Sequence, residues 1–172
     1  MSAKPVLHLG RYVARSWTPK DRKPLIEMVT NILASHGLQF QPDDGDQDAL
    51  RVEEYYWGSG KGDLFVIEDV AKQEMVGCVG YYNSTAQRGE RCADIRKMYL
   101  KPEARGKGIA QFMLTMIEEE IRRSGVKKVF IETSTTLDKA CRLYERAGYT
   151  DASGENAMLD SRSDKLLTKT LN

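Results

Sequence analysis

The chain is poor in the residues that would place it in a specialised environment. Cys78, Cys92 and Cys141 are its three cysteines, far apart, with no Cys-x-x-Cys spacing and only His8 and His36 as further soft ligands. Neither a disulfide framework nor a metal centre is expected from such a set, and buried thiols are the remaining reading. Charge of one sign is also lacking, since 26 Lys and Arg stand against 25 Asp and Glu for a net charge of +1. No overall field gathers nucleic acid or an anionic membrane surface, so any electrostatic recognition has to be local. No apolar run approaches the ~20 residues that cross a bilayer. Met1 to Gly10 offers only Val6, Leu7 and Leu9 where a secretory signal would carry its apolar core, so a cytoplasmic location is the expectation. Internal repeats and low-complexity segments are missing too.

What is present is an ordinary globular balance of 41% apolar and 30% charged residues. A chain of 172 residues supports one well-buried core, so 1–172 is read as a single domain, with 1–10 as a flexible N-terminal stretch. Tyr12 to Trp17 alternates like a strand, and Thr18-Pro19 opens a helix that Gly37 ends. Gln41 to Asp48 reads as a loop, with Asp48 capping a short helix through Tyr56. Leu64–Glu68 and Met75–Tyr82 form a hairpin. After the polar loop Asn83 to Arg91, the strand Cys92–Leu100 is expected to turn Asp94, Arg96, Met98 and Leu100 to one face, and Ile95, Lys97 and Tyr99 to the other. From Gly106 to Gly125 the pattern is an amphipathic helix, with Glu118–Arg122 and Glu119–Arg123 pairs on its wet side. Lys128–Thr133 is a strand, a helix capped at Thr135 or Thr136 runs to Gly148, and Tyr149–Thr150 and Asp164–Leu171 close the chain as strands. This order predicts an α/β fold with a mixed sheet and helices on both faces.

The informative segment runs from Met98 to Ala110 and sets Gly106 and Gly108 at the mouth of the amphipathic helix. Glycine lets an anion approach the backbone because no Cβ intervenes. The first amides of a helix lack partners, and no Ser, Thr, Asp or Asn immediately precedes this one to take them. An external anion is the natural occupant, and Lys101, Arg105 and Lys107 add cations suited to a pyrophosphate. A turn with solvated basic residues is the plain alternative. A P-loop is excluded because Lys107 precedes Gly108, and a dinucleotide fingerprint wants glycine where Gln111 stands. Glu132 ends the next strand as a ribose-binding acid would, which leaves a Rossmann arrangement weakened but open.

Arg105-Gly-Lys-Gly-Ile-Ala110 resembles the R/Q-x-x-G-x-G/A signature of GNAT acetyltransferases, with Leu100-Lys-Pro-Glu before it. Leu143-Tyr144-Glu-Arg-Ala-Gly-Tyr149 resembles the family's second signature at the end of the penultimate helix. The similarity is close over Ala93 to Thr150, and earlier elements match in order. It implies the GNAT fold, with the strand ending at Leu100 splayed from Lys128–Thr133 to admit the pantetheine arm of acetyl-CoA. It further implies that main-chain groups of Met98, Tyr99 and Leu100 pair with that arm and that Arg105, Gly106, Lys107, Gly108, Ile109 and Ala110 hold the phosphates. One departure is Leu137, where many members carry asparagine.

Acetyl transfer to an amine needs an uncharged nucleophile, a polarised thioester carbonyl and a proton for the leaving thiolate. The resemblance implies Tyr144 as the acid near sulfur, and Asp94 as the base where some members place a catalytic glutamate. Asp94 stands six residues before Leu100 and is therefore expected on its strand face, with Glu132 in reserve. Backbone N–H groups of Met98 or Leu100 serve the carbonyl. A core aromatic and a structural carboxylate are the plain readings of Tyr144 and Asp94. Asp43, Asp44, Asp46, Asp48, Glu53 and Glu54, followed by Tyr55, Tyr56 and Trp57, read either as a holder for a cationic amine or as a solvated acidic loop. The expected partner is a small-molecule amine, with a protein or peptide amine less favoured, no nucleic acid and no membrane; a homodimer is left open. A catalytically silent CoA-binding module and a nucleotide-dependent oxidoreductase are the competing functions.

Overall fold

Runs rich in Val, Ile and aromatic residues pair into a sheet because each offers one apolar face to a helix. In the computed structural model, which describes residues 6–58, 62–155 and 160–172, eight strands lie in one sheet, in the order β1-β2-β3-β4-β5-β6-β8-β7. They are β1 (Leu7–Leu9), β2 (Tyr12–Ser16), β3 (Asp63–Asp69), β4 (Glu74–Asn83), β5 (Cys92–Leu100), β6 (Lys128–Thr133), β7 (Thr150–Asp151) and β8 (Lys165–Thr170). Among them only β5 and β6 run parallel, joined by the crossover helix. The helices are α1 (Arg22–Ser35), α2 (Gln47–Leu50), α3 (Thr85–Arg88), α4 (Ile109–Arg123) and α5 (Asp138–Arg146). Leu25, Val29 and Leu33 of α1 pack with Trp17, Tyr56, Leu64 and Cys78 on one face of the sheet. On the other face Met113, Ile117 and Ile121 of α4 and Tyr144 of α5 pack with Ile67, Val79, Ile95 and Val129. The mixed α/β sheet with helices on both faces is the arrangement the sequence led us to expect.

Several local expectations change. Part of the flexible 1–10 stretch is strand: Leu7–Leu9 pairs with β2 through a turn at Gly10, whose φ of +58° suits glycine. Thr18 and Asp21 form a capping box ahead of α1, with Asp21 accepting the Thr18 amide at 2.7 Å. Asp48 caps nothing; α2 spans four residues, and a wide helical turn follows over Glu53–Gly58. The loop expected at Asn83–Arg91 contains α3. Glu118 is buried rather than wet, and takes the Tyr149 hydroxyl and the Lys169 ammonium, both at 2.9 Å, while Arg122 turns to Glu119. The cap of α5 is Leu137, and Thr135 instead bonds Asp164.

The largest departure lies within β5. Opposite β4, Tyr99 pairs with Cys78 but Arg96 pairs with Gly80, so Lys97 and Met98 together oppose Val79. This is a β-bulge, and Lys97 takes a φ of +53° to make it. Alternation restarts there. Ile95, Met98 and Leu100 join the α4 face, whereas Arg96 and Lys97 both reach the Gly45 carbonyl on the α1 face, where Tyr99 also packs. Asp94, between Ala93 and Ile95, points with Arg96 and away from Leu100. The expected common face of Asp94, Met98 and Leu100 is therefore corrected.

A left-handed lysine costs about 1–3 kcal/mol. The conformation persists because the Lys97 ammonium, buried, pairs with Asp46 at 2.8 Å and Asp48 at 2.9 Å. Lys97→Met leaves Asp48 without its close cation and Asp46 with Arg162 alone, and is expected to destabilise the fold by about 3–5 kcal/mol in denaturant titration. A loss under about 1 kcal/mol would show that water reaches the pair. Burial alone would raise the Asp46 pKa, but Arg162 and Lys97 hold it at about 2, so its contribution to stability should be present above about pH 4 and lost toward pH 2.

Candidate active site

Pairing between β5 and β6 ends at Ile95 and Ile131, and beyond that point the two strands diverge. Among the described residues, main-chain groups of Arg96–Leu100 on that side have no strand partner, and a cleft of about 390 Å³ opens beside them. Its walls are Met98, Tyr99 and Leu100 from β5, the start of α4, and Leu137, Ala140, Leu143 and Tyr144 from α5. The volume lies within the range of small-molecule sites, and the mixture of apolar walls with one charged end suits an elongated ligand.

The charged end is the glycine turn. Gly106 and Gly108 have φ values of +71° and +77°, in the left-handed region. An added Cβ at either would meet none of the described residues within 4 Å, so conformation and not crowding requires glycine. Gly108 is the N-cap of α4, and no side chain caps the helix. Arg105 lines this end, and Lys139 and Arg146, which sequence reasoning missed, line the same cleft from α5. Their signal was present: they lie seven residues apart on α5, on the helix face that also carries Leu143. Lys107 turns away to the Glu103 carbonyl, and Lys101 pairs with Glu74. Of the cofactor residues expected from sequence, Met98, Tyr99, Leu100, Arg105, Gly106, Gly108, Ile109 and Ala110 line the cleft. Lys107 does not.

Tyr144 stands at the inner end, buried, with its ring edge-on to Tyr149 at 6.0 Å. Burial, then the neighbouring Tyr99 and Cys141, raise its hydroxyl pKa. Next to it a second cavity of about 60 Å³ shares Met98, Tyr99, Leu137, Ala140 and Tyr144 with the cleft. Its far wall carries Arg96, Lys97, Glu132, Asp160 and Arg162. Asp94 lines neither cavity. Its carboxylate accepts two bonds from Arg88 at 2.7 Å and one from Ser84 at 2.7 Å, which closes it off. Glu132 accepts from Arg88 at 3.0 Å and Arg96 at 3.5 Å, yet burial raises its pKa over the opposing pull of Arg96, with Asp94 adding to the rise.

The acidic stretch does not form an amine holder. Asp46 pairs with Lys97 and Arg162, Asp48 with Lys97 and the Tyr56 hydroxyl, Glu53 with Arg22, and Glu54 with Arg51. Tyr56 is core, Tyr55 bonds Gln47, and Trp57 bonds Asp63. All three cysteines are buried and free. Among the described residues no group of three His, Cys, Asp or Glu is placed to hold a metal ion, and no helix is long and apolar enough to cross a membrane.

Residues 28–149 match the acetyltransferase (GNAT) family. The uncharacterized N-acetyltransferase YjgM of Escherichia coli (strain K12) is 29% identical over 137 residues, covering 80% of this chain and 81% of its own. Among solved structures, an acetyltransferase from Streptococcus agalactiae superposes with a TM-score of 0.81 at 14% identity, over 95% of this chain and all of the other. The spermidine N-acetyltransferase of Vibrio cholerae in complex with CoA and spermine gives 0.65 at 16%, over 94% and 96%. The Salmonella typhimurium protein yncA, solved with its cofactor acetyl-CoA, gives 0.71 at 16%, over 95% of each chain.

The uncapped turn generates a direct test. Gly108→Glu puts a carboxylate and a strained backbone in front of the open amides and is expected to weaken coenzyme A binding at least about 100-fold by calorimetry. Undiminished binding would remove the turn as the phosphate site.

Proposed function

The chain belongs to the acetyltransferase (GNAT) family, and on that footing we propose that it transfers an acetyl group from acetyl-CoA to the primary amine of a small molecule by direct attack. The N-acetyltransferase class follows from the family and from the named relative. The observation that carries the finer reading is that the two cavities adjoin: the cleft that includes the uncapped glycine turn and the second chamber walled by Glu132 share Tyr144 and Leu137 as lining. The fold relative crystallised with CoA and spermine supports a small amine as acceptor.

The residues fit acetyl-CoA in kind. Open amides at Gly106–Ala110 with Arg105 suit its phosphates, with Lys139 and Arg146 on the same cleft, and the stretch of β5 main chain beyond its pairing with β6 suits the pantetheine amides. Leu137 offers no hydrogen bond to that arm. Bound there, acetyl-CoA would supply an acetyl thioester, whose carbon gains the amine nitrogen as the C–S bond breaks and sulfur leaves with the electron pair. The chain's own work is to orient and to move protons. An alkyl ammonium has a pKa of ~10 and must lose a proton first. Glu132, raised by burial, is a stronger base than an ordinary carboxylate and stands on the acceptor wall, so we assign it the base, with Asp94 holding Arg88 against it. Tyr144 keeps its proton at neutral pH because its pKa lies above ~10, while a thiol lies near ~8.5. Its role is therefore to donate a hydrogen bond to the departing sulfur rather than to give the proton up.

Release of free thiol from acetyl-CoA across an amine panel tests the activity. Cofactor binding with no release on any amine would leave a silent binding module. Tyr144→Phe is expected to lower kcat by about 10²-fold with little change in the KM for acetyl-CoA, and an unchanged kcat removes it from the reaction. For Glu132 the sign is set by its raised pKa: kcat/KM should climb with pH through a value above the usual ~4.3 of glutamate. In Glu132→Gln that lower limb should vanish along with most of the rate.

A further inference from the structure

The charge of the second cavity restricts which amine it takes. Among the described residues, nine ionisable side chains are linked around it. Arg88 lies 2.7 Å from Asp94 and 3.0 Å from Glu132. Lys97 lies 2.8 Å from Asp46 and 2.9 Å from Asp48, and Arg162 lies 2.6 Å from Asp46. Arg96 is held more loosely, 3.5 Å from Glu132 and 3.9 Å from each of Asp48 and Asp160. Four cations (Arg88, Arg96, Lys97, Arg162) thus face five carboxylates (Asp46, Asp48, Asp94, Glu132, Asp160). None of the nine side chains is more than 15% exposed, so solvent does little to dilute the surplus. Asp44, the other acid near Arg162, sits at the surface on Ser161.

The surplus can be located. Lys97 and Arg162 close on Asp46 and Asp48, and Arg88 closes on Asp94 through two hydrogen bonds. Glu132 takes one further hydrogen bond from Arg88, at 3.0 Å, and shares the Arg96 guanidinium with Asp160; Glu132 and Asp160 are the carboxylates on the cavity wall. Asp160 is fixed by its own turn, its Oδ1 accepting the amides of Arg162 and Ser163 at 3.1 and 2.8 Å, while Oδ2 faces Arg96. The rise in the Glu132 pKa agrees in sign with an excess of negative charge here.

We propose that the second cavity is a receptor for a single positive charge, in which Asp160 and Glu132 take the acceptor as its ammonium ion, and that the acceptors are primary amines with no carboxylate on the amine-bearing carbon. This rests on the acetyl-transfer function proposed above and assigns Asp160 as a specificity-determining residue. A cavity of about 60 Å³ admits the amino end of a molecule and little more. An α-carboxylate would enter beside the ammonium, as a sixth acid among four cations. Arg96 does not rescue it, because three carboxylates already stand within 3.9 Å of that guanidinium.

The test uses matched sets in which an α-amino acid, its amide and the amine left by decarboxylation share one side chain, with small, aliphatic and aromatic examples, and thiol release from acetyl-CoA as the readout. In each set that is used, the amine and the amide should exceed the free amino acid in kcat/KM by at least about tenfold, since like charges in a dry site are costly. Asp160→Asn should raise the amine KM about tenfold, leave the acetyl-CoA KM and the melting temperature unchanged, and narrow that gap, with Asp160→Glu restoring much of it. Preference for free amino acids, or an Asp160→Asn variant with unaltered amine KM, overturns the proposal. If no set releases thiol although acetyl-CoA still raises the melting temperature, the transfer function has failed. Calorimetry of the same sets with CoA-loaded protein then decides the charge receptor by itself: tighter binding of amine than of amino acid upholds it, and the reverse ends it.

Discussion

Lys97 carries an ammonium group into the interior, where Asp46 and Asp48 pair with it and the Gly45 carbonyl accepts from it at 2.6 Å. Few arrangements hold a non-glycine residue at a φ of +53°. The strain of about 1–3 kcal/mol is smaller than the about 3–5 kcal/mol at stake when one partner of a buried pair is lost, so the ion pair sets the backbone. With the bulge in place, Arg96 and Lys97 both turn toward α1, and Met98 falls on the α4 face, against the cleft. Without it, ordinary alternation would send Met98 to the other face and draw Lys97 into the α4 core, since one residue of slip reverses every side chain beyond it. The cleft wall, the acceptor cavity and the separation of Asp94 from Leu100 all follow from where one ammonium group is buried.

The same interaction explains the acidic segment that precedes β3. Read linearly, six carboxylates before three aromatic residues resemble a cation-binding surface. Folded, the segment supplies the counter-charge for Lys97 and Arg162, and its Gln41 and Asp44 side chains bond Ser161. These bonds tie the segment at 41–46 to the segment at 161–162. The acids left facing the cavity come from elsewhere, Glu132 at the end of β6 and Asp160 beyond β7.

What was legible in the sequence was local. Gly106 and Gly108, the lack of a capping side chain and the amphipathic spacing from Ile109 to Ile121 mark one short stretch as the candidate anion site, and a second short stretch marks Tyr144 as a candidate. The strands were legible for a similar reason, because alternation is read residue by residue. The bulge was not, since it exists only in the register between β4 and β5. Arg88 was hidden in a polar loop too short to show helical periodicity, and Arg162 meets Asp46 across 116 positions of chain. Leu7–Leu9 needed its partner β2 before it could count as a strand. Electrostatic roles were the least legible of all, because a carboxylate's sequence neighbours do not reveal whether a cation has already claimed it.

The two halves of the site therefore answer to different physics. At the proposed phosphate end a ligand would meet amides and glycine conformation, which are written in one short local stretch. At the proposed acceptor end it would meet a balance among nine charges drawn from five separate parts of the chain, and a single substitution alters the sum. Leu137 stands where the halves join, lining both cavities. An asparagine there would offer a hydrogen bond to the pantetheine arm and bring a polar group to the junction. The leucine forgoes that bond and keeps the passage to Glu132 apolar. Because desolvation is the largest cause of the raised Glu132 pKa, a dry junction would preserve the basicity that the proposed proton removal requires. On this argument the leucine is a consistent part of the acceptor chemistry, placed inside what otherwise reads as a cofactor signature.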